Sequence, residues 1–202
     1  RALERFASPQ DPVEMATLSA TPIASQYYQP RIKGDAALVQ GLMKALIALD
    51  GEGAGALDHA FIAEHTQGYE ALVLQLADLT WPDIEARSGL SRSQIEEVAT
   101  IYARSKATIL CYGMGLTQHR NATSTVQQLA NLLLLRGNIG RPGAGICPLR
   151  GHSNVQGDRT VGVWEKPSEA FLEAMDRVFG FKSPRKHGHT VVEAIMAMER
   201  GE

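Results

Sequence analysis

The chain has 202 residues, 44 % of them hydrophobic and 21 % charged, an ordinary globular composition that suffices for one core or for one and a half domains. Twenty basic residues against 22 acidic ones leave a formal charge of −2, so no net field draws the chain to nucleic acid or to an anionic membrane. Its apolar runs fall far short of a membrane span, and the charged opening RALERF lacks the apolar stretch of a secretory signal.

The chain starts with Arg1 rather than methionine, which reads as a cut within a longer protein. Cys111 and Cys147 fit no CxxC or CxxH metal pattern; they can be read as a disulfide or as two free thiols of a reduced cytosolic protein, and the free thiols are the expectation. Residues 1–34 carry Pro9, Pro12, Pro22 and Pro30 without a clear period and read as extended connecting chain, with Ile32 closing a possible strand. Asp35 is expected to cap a helix whose apolar stripe is Leu38, Leu42, Ala45, Leu46 and Leu49. Lys33, Gly34 and Asp35 thus stand at a helix start, where an anion or a hydrogen-bonding ligand can dock; capping alone also accounts for Asp35.

Gly51, Gly53 and Gly55 interrupt this helix, and helical patterns follow over 57–65 and 69–79. His59 and His65, six apart, share no helical face and belong to no ligand cluster. Trp81-Pro82 opens a further turn. Ser91 and Gln94 spell a capping box for a helix reaching 105, with Ile95, Val98, Ala99 and Tyr102 inward.

Residues 107–112, ATILCY, read as a buried parallel strand in which Cys111 is a packing residue. Gly113 and Gly115 end it, either to let backbone approach a ligand or to make a tight turn. Gln118, His119, Arg120 and Asn121 follow at the carboxyl end of that strand, the edge at which open α/β sheets bind ligands. His119 and Arg120 serve equally well as solvent-facing turn residues. A helix over 123–136 buries Val126, Leu129, Leu132 and Leu133 and stops at Gly137.

Residues 137–157 hold six glycines and two prolines, a composition costly to order. They are expected to form a long loop. Its apolar anchors (Ile139, Ile146, Cys147, Leu149, Val155) and directional hydrogen-bonders (Arg150, His152, Asn154, Gln156, Arg159) suit a large polar ligand or a neighbouring domain. Beyond it, Ser168 caps a helix with Phe171, Leu172, Met175 and Val178 inward, a basic link follows, and Thr190 with Glu193 boxes a last helix. The order of strand, glycine turn and helix predicts an α/β fold: Rossmann-like layers of helices on a mostly parallel sheet.

Two stretches carry a resemblance. YGMGLTQH (112–119) and ANLLLLRGNIGRPGAGICPLRGHSNVQGDRTVG (130–162) resemble the corresponding parts of the molybdopterin-guanine-dinucleotide (bis-MGD) oxidoreductases, most closely the formate-dehydrogenase-like alpha subunits. LERF, KGDAAL, LDHAFIAEHT and SGLSRSQIEEVATIYA match more loosely. The resemblance implies a bis-MGD cofactor carrying molybdenum or tungsten. Met114 and Gln118 would touch one guanine-dinucleotide arm. Lys33, Gly34 and Asp35 would form a second contact, with the Asp35 carboxylate accepting the N1–H and N2–H of guanine. Arg150 would be the catalytic arginine, its guanidinium fork holding an anionic substrate beside the metal. His152 would lie beside the pterin, where formate dehydrogenases carry glutamine, a departure that puts formate as substrate in question. GDRT after Gln156 likewise replaces the GACD of formate dehydrogenases.

The family's metal ligand and its iron–sulfur cysteines lie upstream, and neither cysteine here matches them, so no metal or cluster ligand is expected. Residues 1–152 would be part of the MGD-binding α/β domain and 153–202 the start of the next cofactor-binding domain. The implied partners are the remaining domains of a redox enzyme, a small anionic substrate and an electron-transfer partner of unknown kind, in the bacterial cytoplasm; the isolated fragment would be inactive. Two other readings stand beside this one: a non-enzymatic nucleotide- or phosphate-binding module in which residues 113–121 cradle an anion, and an interaction module that has kept the fold without chemistry.

Overall fold

The computed structural model describes residues 5–6, 8–17 and 19–202. Residues 1–4, 7 and 18 of the proline-bearing segment, including the start of the LERF match, lie outside the described residues. That segment holds more than extended chain. Arg5–Phe6 (β1) pairs antiparallel with Thr21–Pro22 (β2), and Pro12–Thr17 (α1) lies between them. Asp11 starts α1 by accepting the amides of Val13 and Glu14 at 2.8 and 3.1 Å, with Pro12 at the first helical position, where no donor is missed. The strand expected at Ile32 does not form: Ile32 sits in a turn and is 90 % exposed.

The first unit, Arg1–Arg150, is built on Asp35–Gly51 (α2). Its cap is Gly34 rather than Asp35, which is the first helical residue and makes no cap bond. A carboxylate there still favours the positive end of the helix dipole. Around α2 stand His59–His65 (α3), Tyr69–Ala77 (α4), Trp81–Ser88 (α5) and Arg92–Arg104 (α6). The α5 and α6 helices come close because residue 41 is glycine: a Cβ there would lie 2.9 Å from Ile84 Cγ2 and 3.1 Å from Ile95 Cγ2. Met43, Leu46, Leu76, Ile84, Ile95 and Leu133 are the large, fully buried side chains of this core. Lys44 ties α2 to the end of α4, donating to the Leu76 and Ala77 carbonyls at 2.9 and 3.3 Å, a cation where the helix dipole is negative. The Ser91–Gln94 capping box forms as expected.

Ile109–Tyr112 (β3) comes next, then the single turn Met114–Thr117 (α7) and Ala122–Leu134 (α8). Within the stretch read as loop, Gly145–Pro148 (β4) pairs parallel with β3 in the register Ile109↔Gly145, Leu110↔Ile146, Cys111↔Cys147, Tyr112↔Pro148. Parallel partners need a long crossover, and α8 supplies it. The pair with its covering helices makes the unit α/β, although the parallel sheet has only two strands among the described residues. Leu110 and Tyr112 pack on the core, whereas Cys111 is exposed, so it is not the packing residue its strand suggested.

The start of the glycine-rich stretch is fastened by a buried amide. Asn138, fully buried, donates from Nδ2 to the Tyr102 hydroxyl at 2.9 Å, and its Oδ1 accepts from Arg141 Nη2 at 2.6 Å. Tyr102 in turn donates to the Leu132 carbonyl at 3.0 Å. Arg136 clamps the same region, donating to the carbonyls of Ala56 (2.7 Å) and Ser105 (3.1 Å).

The second unit, Gly151–Glu202, holds Val155–Thr160 (α9), Glu169–Phe179 (α10) and Val191–Glu199 (α11). Asn154 caps α9 by accepting the Gly157 amide at 3.1 Å, Ser168 caps α10, and Thr190 and Glu193 form the expected capping box. Arg185 holds α10 through Glu169 (2.9 Å) and Asp176 (2.7 Å). The stripe expected inside α10 is not buried: Phe171 is 37 % and Val178 69 % exposed. No described helix is long and apolar enough to cross a membrane.

These contacts set the expected stability effects. Asn138→Leu leaves the Tyr102 hydroxyl and the Arg141 guanidinium without their buried partner and should cost about 2–3 kcal/mol in denaturant unfolding. Asn121→Ala, at a cap whose side chain makes no bond, should stay within about 0.5 kcal/mol. Burial alone would raise the Asp50 carboxyl, but bonds from His59 (2.7 Å) and the Leu57 amide (3.0 Å) outweigh it and hold it below its ordinary 3.8. The folded state therefore favours ionised Asp50; the stabilisation is present above pH 3.8 and is lost as pH falls from there through the lower folded value. Asp50→Asn should flatten that acid limb of the stability curve.

Candidate functional site

The carboxyl ends of β3 and β4 are held side by side. Beyond the strands the ladder runs one step further, the Leu149 amide donating to the Tyr112 carbonyl at 2.7 Å. That bond sets Arg150 next to the glycine turn at residue 113. A Cβ on Gly113 would stand 3.7 Å from the Leu149 carbonyl, and on Gly115 it would meet nothing within 4 Å, so the turn presents open backbone. α7 then projects Met114, 45 % exposed, and Gln118, also exposed, while Leu116 anchors the turn on the core. Arg150 is exposed and has no ion-pair partner among the described residues. One edge thus gathers a thioether, an amide and a free guanidinium around bare peptide, a set suited to a planar, polar and anionic ligand.

The second expected segment is built differently. Gly34 is buried, and a Cβ on it would lie 2.8–2.9 Å from the carbonyls of Arg31, Arg87 and Ser88. Arg31 fixes this turn to the end of α5, its amide donating to the Ser88 carbonyl at 2.7 Å and its Nη1 to Ala86 at 3.0 Å. Lys33 adopts a left-handed φ of 66° and is exposed. Asp35 is half-buried at the start of α2. Gly34 is therefore required by packing against carbonyls, and its neighbours carry any ligand chemistry. No hydrogen bond or ion pair among the described residues joins Lys33, Gly34 or Asp35 to Met114, Gln118 or Arg150. His152 belongs to the second unit, where it is exposed.

Sequence reasoning missed a polar cavity of about 350 Å³ at the amino ends of the two strands. It is lined by Asp58, His59, Arg104, Lys106, Arg136 and Arg141, with Lys106 leading into β3 and Arg141 into β4. Arg136 and Arg141 are already committed to carbonyls and to Asn138, and Asp58 caps α3 at the Phe61 amide, 3.0 Å away. Only the register of the strands could have revealed it. No three His, Cys, Asp or Glu side chains cluster for a metal ion among the described residues.

Gly34→Ala tests the packing role: forcing a methyl against three carbonyls should cost about 1–3 kcal/mol in thermal or denaturant unfolding, whether or not a ligand is present.

No family model matches the chain. Individual relatives do. It is 52 % identical over 207 aligned positions to Protein YdeP of Escherichia coli K12, covering all of this chain and 27 % of that protein. It is 43 % identical over 200 positions to the uncharacterized oxidoreductase Rv2900c of Mycobacterium tuberculosis H37Rv, covering 98 % of the chain and 26 % of the relative. Formate dehydrogenase H of Escherichia coli K12 is 39 % identical over 105 positions, 52 % of the chain and 15 % of that enzyme. The chain thus spans about a quarter of the length of the relatives that it matches throughout, and sequence kinship ties it to one stretch of longer proteins, several of which bear the names of oxidoreductases.

Proposed function

We propose that this chain is part of a molybdopterin-dependent oxidoreductase of formate-dehydrogenase-like type, contributing to the binding of a bis-MGD cofactor and of a small anionic substrate. The observation that carries the reading is the glycine-rich stretch 137–157. Its spelling resembles that family's, and the bond from the Leu149 amide to the Tyr112 carbonyl holds its first half beside the strand that leads into the glycine turn. The 39 % identity to formate dehydrogenase H over half the chain supports the same reading. So does the exposure of apolar side chains in the second unit, among them Val161, Trp164, Phe179 and Val191, which suits burial against further domains of a longer protein.

The residues present fit the group. A Cβ on Gly113 would meet nothing closer than 3.7 Å and one on Gly115 nothing within 4 Å, which leaves that backbone open to a ligand's approach. Met114 and Gln118 would contact one guanine-dinucleotide arm. Asp35, whose carboxylate makes no bond within α2, would accept the paired N–H donors of guanine, with Lys33 beside it for phosphate. His152 would donate to the pterin. When bound, the cofactor would supply two-electron redox chemistry at molybdenum or tungsten, its metal and cluster ligands coming from outside these 202 residues. Arg150 would bind and orient the substrate, because its charge is permanent and its fork matches a carboxylate bidentately. The histidine at 152 leaves the substrate open within the class of small anions.

The test uses the intact protein, expressed where the cofactor is plentiful. It should purify with molybdenum or tungsten and release guanine nucleotide on acid treatment. A preparation containing neither would overturn the reading in favour of a module without redox chemistry. Arg150→Ala should retain metal and nucleotide yet lose turnover of the anionic substrate found by screening, by about a hundredfold or more. Arg150→Lys should recover only part of it, since an ammonium lacks the bidentate fork.

A further inference from the structure

The register of β3 and β4 sets Cys111 directly opposite Cys147. Thirty-five residues separate them in sequence, so only the parallel pairing brings the two thiols together. Both are free, Cys111 exposed and Cys147 half-exposed. Paired residues of a sheet point to the same face, and neighbouring strands lie about 4.8 Å apart, inside the range of about 4.4–6.8 Å that a disulfide spans between Cα atoms. Desolvation, and then the Cys147 thiol, hold the Cys111 thiol above the ordinary thiol range, in keeping with the two residues facing each other across the strand pair. Ile109 and Gly145 share that face, and no cation among them would make either sulfur a fast nucleophile.

We propose that Cys111 and Cys147 form a reversible cross-strand disulfide when the protein meets a hydroperoxide, fastening β4 to β3 at the carboxyl edge. One thiolate attacks the peroxide: an S–O bond forms, the O–O bond breaks, and the departing oxygen takes a proton to leave as alcohol or water. The resulting sulfenic acid is attacked by the second thiolate; the S–S bond forms and hydroxide leaves, protonated to water. Two thiols and one hydroperoxide thus give one disulfide, one alcohol or water, and one further water, the two sulfurs supplying the two electrons. The bond would lie one residue before Tyr112 and two before Leu149, whose own hydrogen bond positions Arg150. Oxidation would therefore lock that edge rather than break it. The disulfide needs only the strand register and is independent of any bound cofactor.

The experiment exposes the intact protein to hydrogen peroxide, then denatures it, blocks free thiols by alkylation, and digests it with trypsin for mass spectrometry. Cleavage after Lys106, Arg120, Arg136 and Arg150, with the Arg141–Pro142 bond resisting, gives peptides 107–120 and 137–150, each with one cysteine. The expected result is a linked pair of these peptides at the expense of both alkylated forms, reversed by dithiothreitol. The linked pair should be absent from Cys147→Ser, in which Cys111 should stop at sulfenic or higher acids. The oxidised wild-type protein should also melt at a higher temperature than the reduced one. Recovery of both peptides in alkylated form after prolonged exposure would overturn the proposal, as would sulfinic or sulfonic acids on unlinked peptides of the wild type.

Discussion

One buried amide holds the glycine-rich stretch to the rest of the first unit. Asn138 meets Tyr102 from α6, Arg141 from the turn before β4, and through Tyr102 the Leu132 carbonyl of α8. A fully buried amide is stable only if its donors and acceptors are paired, and this one specifies where the chain leaves α8. From that point the backbone can reach the open side of β3 and add β4 in parallel. Without the tie, residues 137–150 would have to be ordered at the full entropic cost of a glycine-rich loop.

The tie leaves a short parallel pair whose two ends differ in chemistry. At the amino ends, arginine and lysine side chains surround a polar cavity, but two of the arginines are spent on carbonyls that no strand or helix satisfies. At the carboxyl ends, the ladder bond from Leu149 to Tyr112 brings the chain to Arg150, which has no ion-pair partner among the described residues. The same residue type thus serves as a structural clamp at one end and remains available at the other. The difference lies in whether a backbone acceptor was left over nearby.

The stretch 31–35 shows how packing and binding can share one segment. Gly34 is held among three carbonyls and Arg31 is strapped to the end of α5, which leaves Lys33 and Asp35 projecting from a rigid turn. A glycine in a motif that looks ligand-like can thus be required by the protein's own backbone, while the neighbouring charges carry the recognition.

Local signals in the sequence settled most of the longer helices, while α1, α7 and α9 went unread. Ser91 with Gln94, Ser168, and Thr190 with Glu193 each cap as their spacing predicted, because a cap involves residues three apart and needs no distant partner. The stripes of α2, α6 and α8 were equally legible from their period. The tertiary structure alone decided what depends on residues far apart. β4 is four residues long, begins with glycine and ends with proline, so its pattern resembled a loop until β3 lay alongside it. The burial of Asn138, the opposition of Cys111 to Cys147 and the exposure of the α10 stripe all depend on which surfaces meet, and periodicity within one segment carries no record of its neighbours.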